Sequence, residues 1–372
     1  MNHTHRLLIT GGTGFIGGAL AARLIYTKRW KDCLFLVRGS HGADGFARLI
    51  HSLKQQDVPE QIIQARLHRE QIIEGDLNNV VVWKNDRRLA AVEDVVSSAA
   101  VASFGNHPSI WPTNVEGVFD MAQALMAHGN LRRFLQIGTA MACGSQAPTL
   151  VPEGYDAEGE TEHFLQYTAS KYAIERRLRT ELPELPLIVA RPSIVVGHSR
   201  LGCLPSGSIF WVFRMARALQ CFPCELSQVI DVVPVDYCAE ALHWLLDKPM
   251  LKYQHYHVSA GAQRACSFGD IDRAIAKGTN QTPMKNYQVK SYEEISRMQG
   301  QFSQLLGACI RRMVLRAIRS YGNFSALGMT FDNTRLLEEG MRLPPFFTEY
   351  AANCEKTSKG VSIAEQMRFD YK

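Results

Sequence analysis

A tyrosine and a lysine stand four residues apart in the segment Tyr167-Thr168-Ala169-Ser170-Lys171. In a helix, residues at positions i and i+4 lie on one face, so the Tyr167 phenol and the Lys171 ammonium converge on one point. A phenol with a pKa of about 10 is a poor acid at neutral pH, and a nearby positive charge lowers that pKa. The spacing predicts that Tyr167 transfers a proton and that Lys171 tunes it.

Thr139 supplies a second hydroxyl directly after a predicted strand over Arg133–Ile137. Open α/β sheets bind their ligands at the carboxyl ends of the strands. A hydroxyl at this edge is suited to orient a substrate carbonyl oxygen, so we predict that Thr139 is catalytic. The alternative is that this hydroxyl only stabilises a local turn.

A glycine-rich turn follows the first predicted strand and leads into a helical pattern over Gly14–Tyr26. Glycine allows a tight turn and a close approach to a ligand, and the N-terminus of the next helix offers free N–H groups and a positive dipole end. This strand, turn and helix order is typical of a dinucleotide fingerprint. The residues predicted to bind the cofactor there are Thr10, Gly11, Gly12, Thr13, Gly14, Phe15, Ile16 and Gly17.

The second predicted strand is followed by Arg38 instead of an acidic residue. An acidic residue would bind the ribose hydroxyls of NAD, whereas a planar guanidinium suits the 2′-phosphate of NADPH. We therefore predict NADPH as the cofactor, with Arg48 as a second candidate for the phosphate; the alternative for Arg38 is a solvated surface arginine. Oxidised nicotinamide would add to the positive field at Tyr167. Further predicted contacts with the adenine and nicotinamide are Asp76, Leu77, Ala99, Ala100 and Val101.

Short β-branched runs alternate with helical segments over the first half of the chain, as in βαβ units. The predicted fold is of the α/β class, a doubly wound parallel sheet (Rossmann) with a smaller, mainly helical C-terminal substrate subdomain. We assign residues 1–197 to the dinucleotide-binding domain, joined by returning strands around 229–260, and residues 198–372 to the substrate-binding subdomain and C-terminal helices. The predicted strands are Arg6–Thr10, Cys33–Val37, Gln71–Glu74, Val95–Ser98, Arg133–Ile137 and Leu187–Ala190, and predicted helices include Pro112–Ala127, Glu162–Glu181 and Leu305–Tyr321.

The composition indicates a folded globular protein. Of the 372 residues, 46% are hydrophobic and 21% are charged, which excludes disordered, collagen-like and low-complexity classes. The net charge of +5 favours anionic ligands, without a strong basic patch that would indicate nucleic acid. The sequence contains no apolar run near the roughly 18 residues of a membrane span, so we expect a cytoplasmic protein. His255 and His257 share a face of a predicted strand but have no evident third ligand, so we predict no metal site.

These motifs resemble the extended short-chain dehydrogenase/reductase family: the glycine fingerprint, Thr139, Tyr167 with Lys171, and the segment Asn114-Val115-Glu116-Gly117. Two further segments resemble the thioester reductase and fatty acyl-CoA reductase branch, also called the male-sterility-type NAD-binding proteins. The resemblance covers residues 6–260, and residues 265–330 match no pattern that identifies the substrate pocket. The two segments are Ala190-Arg191-Pro192-Ser193-Ile194-Val195-Val196-Gly197, and Ser103-Phe104 ahead of Ile110-Trp111-Pro112-Thr113-Asn114.

The resemblance implies a role for each matching residue. Thr139 and Tyr167 would contact the substrate carbonyl, Lys171 would hold the nicotinamide ribose, and Asn114 would anchor a proton-relay water. Residues of the segment after the sixth strand join the predicted cofactor contacts, namely Pro192, Ser193 and Ile194.

The implied function is an NADPH-dependent reductase that transfers hydride to an acyl thioester, held on coenzyme A or on an acyl carrier protein. The products would be an aldehyde and, after a second reduction, an alcohol. One alternative is an extended-family dehydrogenase or ketoreductase that acts on a hydroxy or keto group of a steroid-like or acyl substrate. A second alternative, from another class, is a non-catalytic nucleotide-binding partner protein.

The predicted helix Leu305–Tyr321 is amphipathic, with Arg312, Arg316 and Arg319 on its polar stripe. This basic face is suited to the phosphates of coenzyme A or of a carrier-protein arm, or to an anionic membrane surface. The alternative is an ordinary amphipathic helix that packs on the core.

Overall fold

A seven-stranded sheet forms the centre of the protein. The computed structural model describes residues 5–40, 42–156 and 161–370. The sheet has the strand order β3-β2-β1-β4-β5-β6-β7, and every neighbouring pair is parallel, which confirms the predicted doubly wound fold. In chain order the strands are β1 (Leu7–Thr10), β2 (Cys33–Val37), β3 (Ile72–Glu74), β4 (Asp94–Ser97), β5 (Arg133–Ile137), β6 (Leu187–Pro192) and β7 (His255–Val258).

Helices cover both faces of the sheet and continue beside it. The helices between the strands of the sheet are α1 (Phe15–Leu24), α2 (Gly45–Gln55), α3 (Glu60–Arg66), α4 (Val118–Met126), α5 (Gln166–Glu181), α6 (Phe210–Leu219) and α7 (Val235–Asp247). The helices after the last strand are α8 (Gly261–Arg264), α9 (Phe268–Thr279), α10 (Tyr292–Arg297), α11 (Phe302–Leu306), α12 (Arg311–Leu327), α13 (Thr334–Glu338), α14 (Phe347–Thr357) and α15 (Ile363–Asp370).

The strands are apolar along their whole length because both faces of the sheet are covered. Successive side chains of a strand point to opposite faces. Leu7 and Ile9 of β1 are therefore fully buried in the layer that contains α1 and α7, whereas Leu8 is fully buried in the layer that contains α4 and α5. This explains why continuous apolar runs, without polar alternation, predict the sheet correctly.

A second apolar cluster lies beside the sheet and holds the C-terminal helices together. Its largest buried side chains include Trp211 of α6, Phe268 of α9 and Phe347 of α14, and α14 packs along α9. Among the described residues, no helix combines the length and the apolar character that crossing a bilayer requires.

The predicted helix Leu305–Tyr321 is two helices in the structure. α11 ends at Leu306, and α12 begins at Arg311 and continues to Leu327. The break follows from Gly307, whose φ of 92° is a left-handed conformation and whose position leaves no room for a side chain, because an added Cβ would lie 2.7 Å from Ser362. Ile310, which the periodicity places on the apolar stripe, is consequently 57% exposed.

The predicted helix Pro112–Ala127 begins as a π-helix over Pro112–Gly117 and becomes α4 at Val118. Its last residue, Gly117, lies directly against the 77–82 turn, since an added Cβ would be 2.6 Å from the Leu77 carbonyl oxygen. Widened helical turns of this kind occur frequently at functional sites. Here the turn carries Asn114 toward α5.

A substitution at Gly17 tests whether the close packing of the turn after β1 stabilises the fold. An added Cβ at this position would overlap the Gly11 carbonyl oxygen, so we expect Gly17→Ala to lower the free energy of unfolding by about 1–3 kcal/mol. Gly300→Ala is the matched control, because an added Cβ there meets no atom within 4 Å. Urea unfolding of both variants measures the difference, and an equal effect at both positions would contradict this account.

Candidate active site

Two adjoining cavities open along the carboxyl edge of the sheet. The larger has a volume of about 750 Å³ and the smaller about 360 Å³. They share Gly14 and Phe15 from the start of α1, Ser98 and Ala100 after β4, and Ser208 from the C-terminal half of the chain. The glycine turn therefore lies where the two cavities meet.

The larger cavity has the features of a dinucleotide site. Gly11 has a φ of 72° and approaches the loop after β4 so closely that an added Cβ would lie 2.6 Å from the Ala99 nitrogen. The Gly14 N–H donates to the Gly11 carbonyl at 2.8 Å, and α1 begins at the next residue. The first N–H groups of a helix have no partner within it, so this end of α1 offers donors and a positive dipole to an anionic ligand.

Two arginines line the larger cavity and not the smaller one, which contains Tyr167 and Lys171. The guanidinium of Arg38 is 65% exposed and lies 3.5 Å from the Asp76 carboxylate. Arg48 donates to the Arg38 carbonyl, and its pKa is lowered by burial and by the neighbouring Arg38 charge. Asp76 also caps the next turn, where it accepts the Asn78 N–H at 2.9 Å. The pair Arg38 and Arg48 forms a positive subsite next to the second strand.

The structure brings nearly all predicted cofactor contacts to these cavities. Gly12 lines neither cavity: it faces Phe35 and Leu49 in the core below α2. The predicted residues in the wall of the smaller cavity are Gly14, Phe15, Ile16, Gly17, Ala100, Lys171, Pro192, Ser193 and Ile194. Those in the wall of the larger cavity are Thr10, Gly11, Thr13, Gly14, Phe15, Arg38, Arg48, Asp76, Leu77, Ala99, Ala100 and Val101.

The smaller cavity contains three of the four predicted catalytic residues. Thr139, Tyr167 and Lys171 line one side. The Thr139 hydroxyl also accepts the Met141 N–H at 3.4 Å, so this residue forms a local turn as well as facing the cavity. The rest of the wall is largely apolar and includes Phe104, Val212, Phe213, Phe222, Phe268, Phe324, Met329 and Phe331.

Asn114 is the exception among these four, because it lies in neither cavity wall. It is 1% exposed, and its amide accepts the Val101 N–H at 2.7 Å and donates to the Ser170 hydroxyl at 3.0 Å. Ser170 in turn donates to the Tyr167 carbonyl at 2.7 Å. In this structure Asn114 ties the loop after β4 to the helix that carries Tyr167.

Burial sets the protonation of Tyr167 and Lys171. It raises the pKa of Tyr167 to about 12. It lowers the pKa of Lys171 to about 8, against an opposing effect of the Glu175 charge, and the Lys171 ammonium donates to the Ile137 carbonyl at 2.8 Å. Burial thus raises the pKa of Tyr167 instead of the predicted lowering, and the phenol stays protonated at neutral pH.

A buried ion pair lies one turn beyond Lys171, and the sequence analysis missed it. Oε2 of Glu175 accepts from Nε and Nη2 of Arg191 at 2.9 and 2.7 Å. Oε1 of Glu175 has no partner among the described residues and lies against Gly138, where an added Cβ would overlap it. The signal was present, since Tyr167, Lys171 and Glu175 repeat at intervals of four on one helix face.

The histidine pair is explained without a metal. The Nε2 atom of His255 lies 2.6 Å from Nη2 of Arg179, and Nδ1 of His257 lies 2.9 Å from the Asp332 carbonyl oxygen. Burial lowers the pKa of both imidazoles to about 3, so both are neutral. Within the described part of the chain, no group of three or more potential ligands surrounds them.

Comparison with known proteins agrees with this geometry. Residues 9–242 match the model of the NAD-binding family described as male sterility protein. The chain belongs to this family. The match confirms the resemblance to the thioester reductase and fatty acyl-CoA reductase branch, and it includes the glycine turn, Thr139, Tyr167 and Lys171.

Relatives of this male sterility family member include parts of larger enzymes. It is 24% identical over 303 residues to the nonribosomal peptide synthetase FrzA of a Cladobotryum species, covering 78% of this chain and 29% of the synthetase. It is 26% identical over 275 residues to the fatty acyl-CoA reductase wat of Drosophila melanogaster, covering 63% of this chain and 53% of that protein. The chain thus spans between about a quarter and half of the length of these relatives.

Solved structures share the fold of this family member. The terminal R domain of the myxalamid PKS-NRPS biosynthetic pathway superposes with a TM-score of 0.76 at 18% identity, covering 96% of this chain and 91% of the domain. A thiolation-reductase di-domain of an archaeal nonribosomal peptide synthetase superposes with a TM-score of 0.72 at 19% identity, covering 99% of this chain and 76% of the di-domain.

Burial of the Lys171 ammonium is expected to lower the free energy of unfolding of the protein. Because its pKa falls from 10.5 to about 8 on folding, the folded state binds fewer protons between these values, and stability should rise as the pH rises through them. We expect Lys171→Met to be more stable than the wild type by about 1–3 kcal/mol at pH 7, with the difference vanishing above pH 10.5.

Urea unfolding at several pH values measures this difference. Lys285→Met, which changes an exposed lysine, is the control and should leave the pH dependence of unfolding unchanged. A Lys171→Met protein that is less stable than the wild type at pH 7 would contradict the assignment of a desolvated ammonium.

Proposed function

We propose that this protein is an NADPH-dependent reductase that transfers hydride to an acyl thioester and releases an aldehyde and a thiol. The observation that carries the proposal is the smaller cavity, where Thr139, Tyr167 and Lys171 face the glycine turn of the larger cavity across a largely apolar space. The names of the relatives support the same chemistry, because they include fatty acyl-CoA reductases and reductase domains of peptide synthetases.

The residues of the larger cavity fit the cofactor. The amides at the start of α1 would hold the pyrophosphate, and the close packing at Gly11 and Gly17 leaves that turn free of side chains. Arg38 and Arg48 would hold the 2′-phosphate in place of the acidic residue that NAD enzymes use. Reduced nicotinamide, when bound, supplies the hydride that the acyl carbon accepts.

The hydroxyls of Thr139 and Tyr167 act on the thioester carbonyl. Both donate hydrogen bonds to the carbonyl oxygen and stabilise the negative charge that develops on it. Once the acyl carbon has accepted the hydride, Tyr167 gives its proton to that oxygen, which yields a hemithioacetal. The raised pKa keeps the phenol protonated until this step, and the Lys171 ammonium stabilises the phenolate that remains.

Collapse of the hemithioacetal breaks the carbon–sulfur bond. Tyr167 takes back the hydroxyl proton as the carbonyl forms again, and the departing thiolate takes a proton from solvent to become a thiol. The aromatic walls of the smaller cavity hold the acyl chain and exclude water, which strengthens the hydrogen bonds to the carbonyl oxygen. The aldehyde is itself a carbonyl compound, so the same hydroxyls serve a second reduction to the alcohol.

Thiol release tests the proposed reaction. Mixing the protein with NADPH and an acyl-CoA should liberate free coenzyme A, detected with a thiol reagent, in step with the loss of NADPH absorbance. Tyr167→Phe should reduce turnover by about 10² or more with cofactor binding nearly unchanged. Tyr172→Phe, which removes a hydroxyl from the same helix outside the two cavities, should retain turnover. Oxidation of NADPH by a keto compound, or reduction of NADP⁺ by a hydroxy compound, without thiol release from any thioester would favour the dehydrogenase instead.

The arginine pair tests the choice of cofactor. We expect NADPH to bind at least tenfold more tightly than NADH, because two guanidiniums meet its 2′-phosphate. Arg38→Gln with Arg48→Gln should remove that preference and leave the affinity for NADH nearly unchanged, so NADH serves as an internal control. Fluorescence titration measures both constants, and equal affinities of the wild type for the two cofactors would refute the assignment.

A further inference from the structure

Four arginines lie together on the outer face of α12. Arg311, Arg312, Arg316 and Arg319 are exposed and, with Tyr292 and Ser320, line a groove of about 540 Å³, called here the arginine groove. No acidic side chain is present among the described residues that line it. Among the residues that the structure describes, none forms an ion pair with any of the four.

The arginine groove needs an anionic ligand. Arg312, Arg316 and Arg319 follow one another at helical spacing within about 10 Å of helix axis. Like charges at this spacing repel and destabilise the helix, so an anion that neutralises them binds favourably. The planar guanidinium forms paired hydrogen bonds with phosphate oxygens, which makes phosphate groups the best match.

One wall of the arginine groove is suited to a flat heterocycle. The Arg319 guanidinium lies 4.3 Å from the centre of the Tyr292 ring, so an aromatic ring and a guanidinium plane already stand together. Aromatic and guanidinium planes are the surfaces on which proteins stack nucleic acid bases. Phosphate binders beside such a surface indicate a phosphorylated nucleoside.

A membrane surface fits this helix less well. An interfacial helix inserts its apolar face among the lipids. The apolar face of α12 is already occupied, because Val314, Ala317 and Ile318 are completely buried in the C-terminal cluster. The groove is also concave, whereas a bilayer presents a broad surface.

The arginine groove and the smaller cavity follow one another along the same side of α12. Ser320 lines the groove, and Phe324, one turn further along the same stripe, lines the smaller cavity. Phe324 is half-buried and packs edge-on against Phe164, with the ring centres 5.5 Å apart. From Arg316 to Phe324 the helix rises about 12 Å.

We propose that the arginine groove binds the 3′-phosphoadenosine diphosphate end of coenzyme A. The pantetheine arm then runs along α12 past Ser320 and Phe324 and places the thioester beside Tyr167. Fully extended, this arm spans about 16 Å, taking roughly 3.5 Å for every three backbone bonds, which exceeds the helix rise from Arg316 to Phe324 in the cavity wall. The inference rests on the proposed function for its chemistry and names coenzyme A as the carrier of the acyl group.

Calorimetric titration of the intact protein, with NADP⁺ added to saturate the larger cavity, tests the site. The probes are coenzyme A, dephospho-coenzyme A, which lacks the 3′-phosphate, and 3′,5′-ADP, which lacks the arm. We expect coenzyme A to bind at least tenfold more tightly than dephospho-coenzyme A, and 3′,5′-ADP to bind as well. Arg316→Gln with Arg319→Gln should weaken coenzyme A at least tenfold and remove the difference between the first two probes.

Arg87→Gln, a change at an exposed arginine outside the groove, is the matched control and should leave all three dissociation constants unchanged. In turnover assays the double variant should raise KM for an acyl-CoA at least tenfold without changing KM for the same acyl group on pantetheine alone. Equal binding of coenzyme A and dephospho-coenzyme A by the wild type, or undiminished binding by the double variant, would overturn the proposal.

Two other occupants are outcomes of the same experiment. If an acidic holo-acyl carrier protein, or vesicles of phosphatidylglycerol, bind through Arg316 and Arg319 while coenzyme A does not, the proposal is wrong and the groove serves that partner. The two proposals also fail separately. Binding of coenzyme A in the groove without thiol release would overturn the proposed function alone. Thiol release that is as fast in the double variant as in the wild type, with an unchanged KM, would overturn only the assignment of the groove.

Discussion

The hydroxyl of Thr10 holds together two loops that leave the sheet in opposite directions. It accepts the backbone N–H groups of Ser98 and Ala99, each at 3.1 Å, and donates to the Val96 carbonyl at 3.4 Å. The chain after β1 turns toward α1 on one face, and the chain after β4 turns toward α4 on the other. A crevice must open where such connections diverge, and both cavities lie there. The buried threonine fixes the width of this crevice, and the glycines allow the loops to approach without side chains between them.

The second constraint is the burial of charged side chains, two of which belong to α5. Lys171 and Glu175 follow Tyr167 along one helix face, and each lies against a successive residue at the end of β5: the lysine on Ile137 and the glutamate on Gly138. Arg191 of β6 neutralises the glutamate, so the fold contains a buried lysine next to a compensated ion pair. Such an arrangement is costly unless every partner stays in place. It therefore fixes α5 relative to the carboxyl edge of the sheet more firmly than apolar packing alone.

Local patterns predicted the sheet and the glycine turn well because both depend on short-range rules. Continuous apolar runs identify parallel strands that are covered on both faces. The glycines between Thr10 and Gly17 indicate a tight turn, whatever the direction of the helix that follows. Local patterns failed where contacts between residues far apart in the sequence determine the structure. The break between α11 and α12 depends on Ser362 against Gly307, and no local pattern indicates that the Asn114 amide donates to Ser170, 56 positions away. The pKa of Tyr167 was misjudged for the same reason, since spacing reveals a neighbouring ammonium but not the depth of burial.

The residues shared by the two cavities couple the binding of their two ligands. Gly14, Phe15, Ser98, Ala100 and Ser208 belong to both walls, so whatever fills the larger space completes the boundary of the smaller one. A molecule that enters the smaller space afterwards finds an additional surface to contact and binds more favourably than one that arrives first. By linkage, each of the two ligands raises the affinity for the other by the same factor. Mutual tightening of the two ligands, whichever of them enters first, is the thermodynamic counterpart of this shared wall.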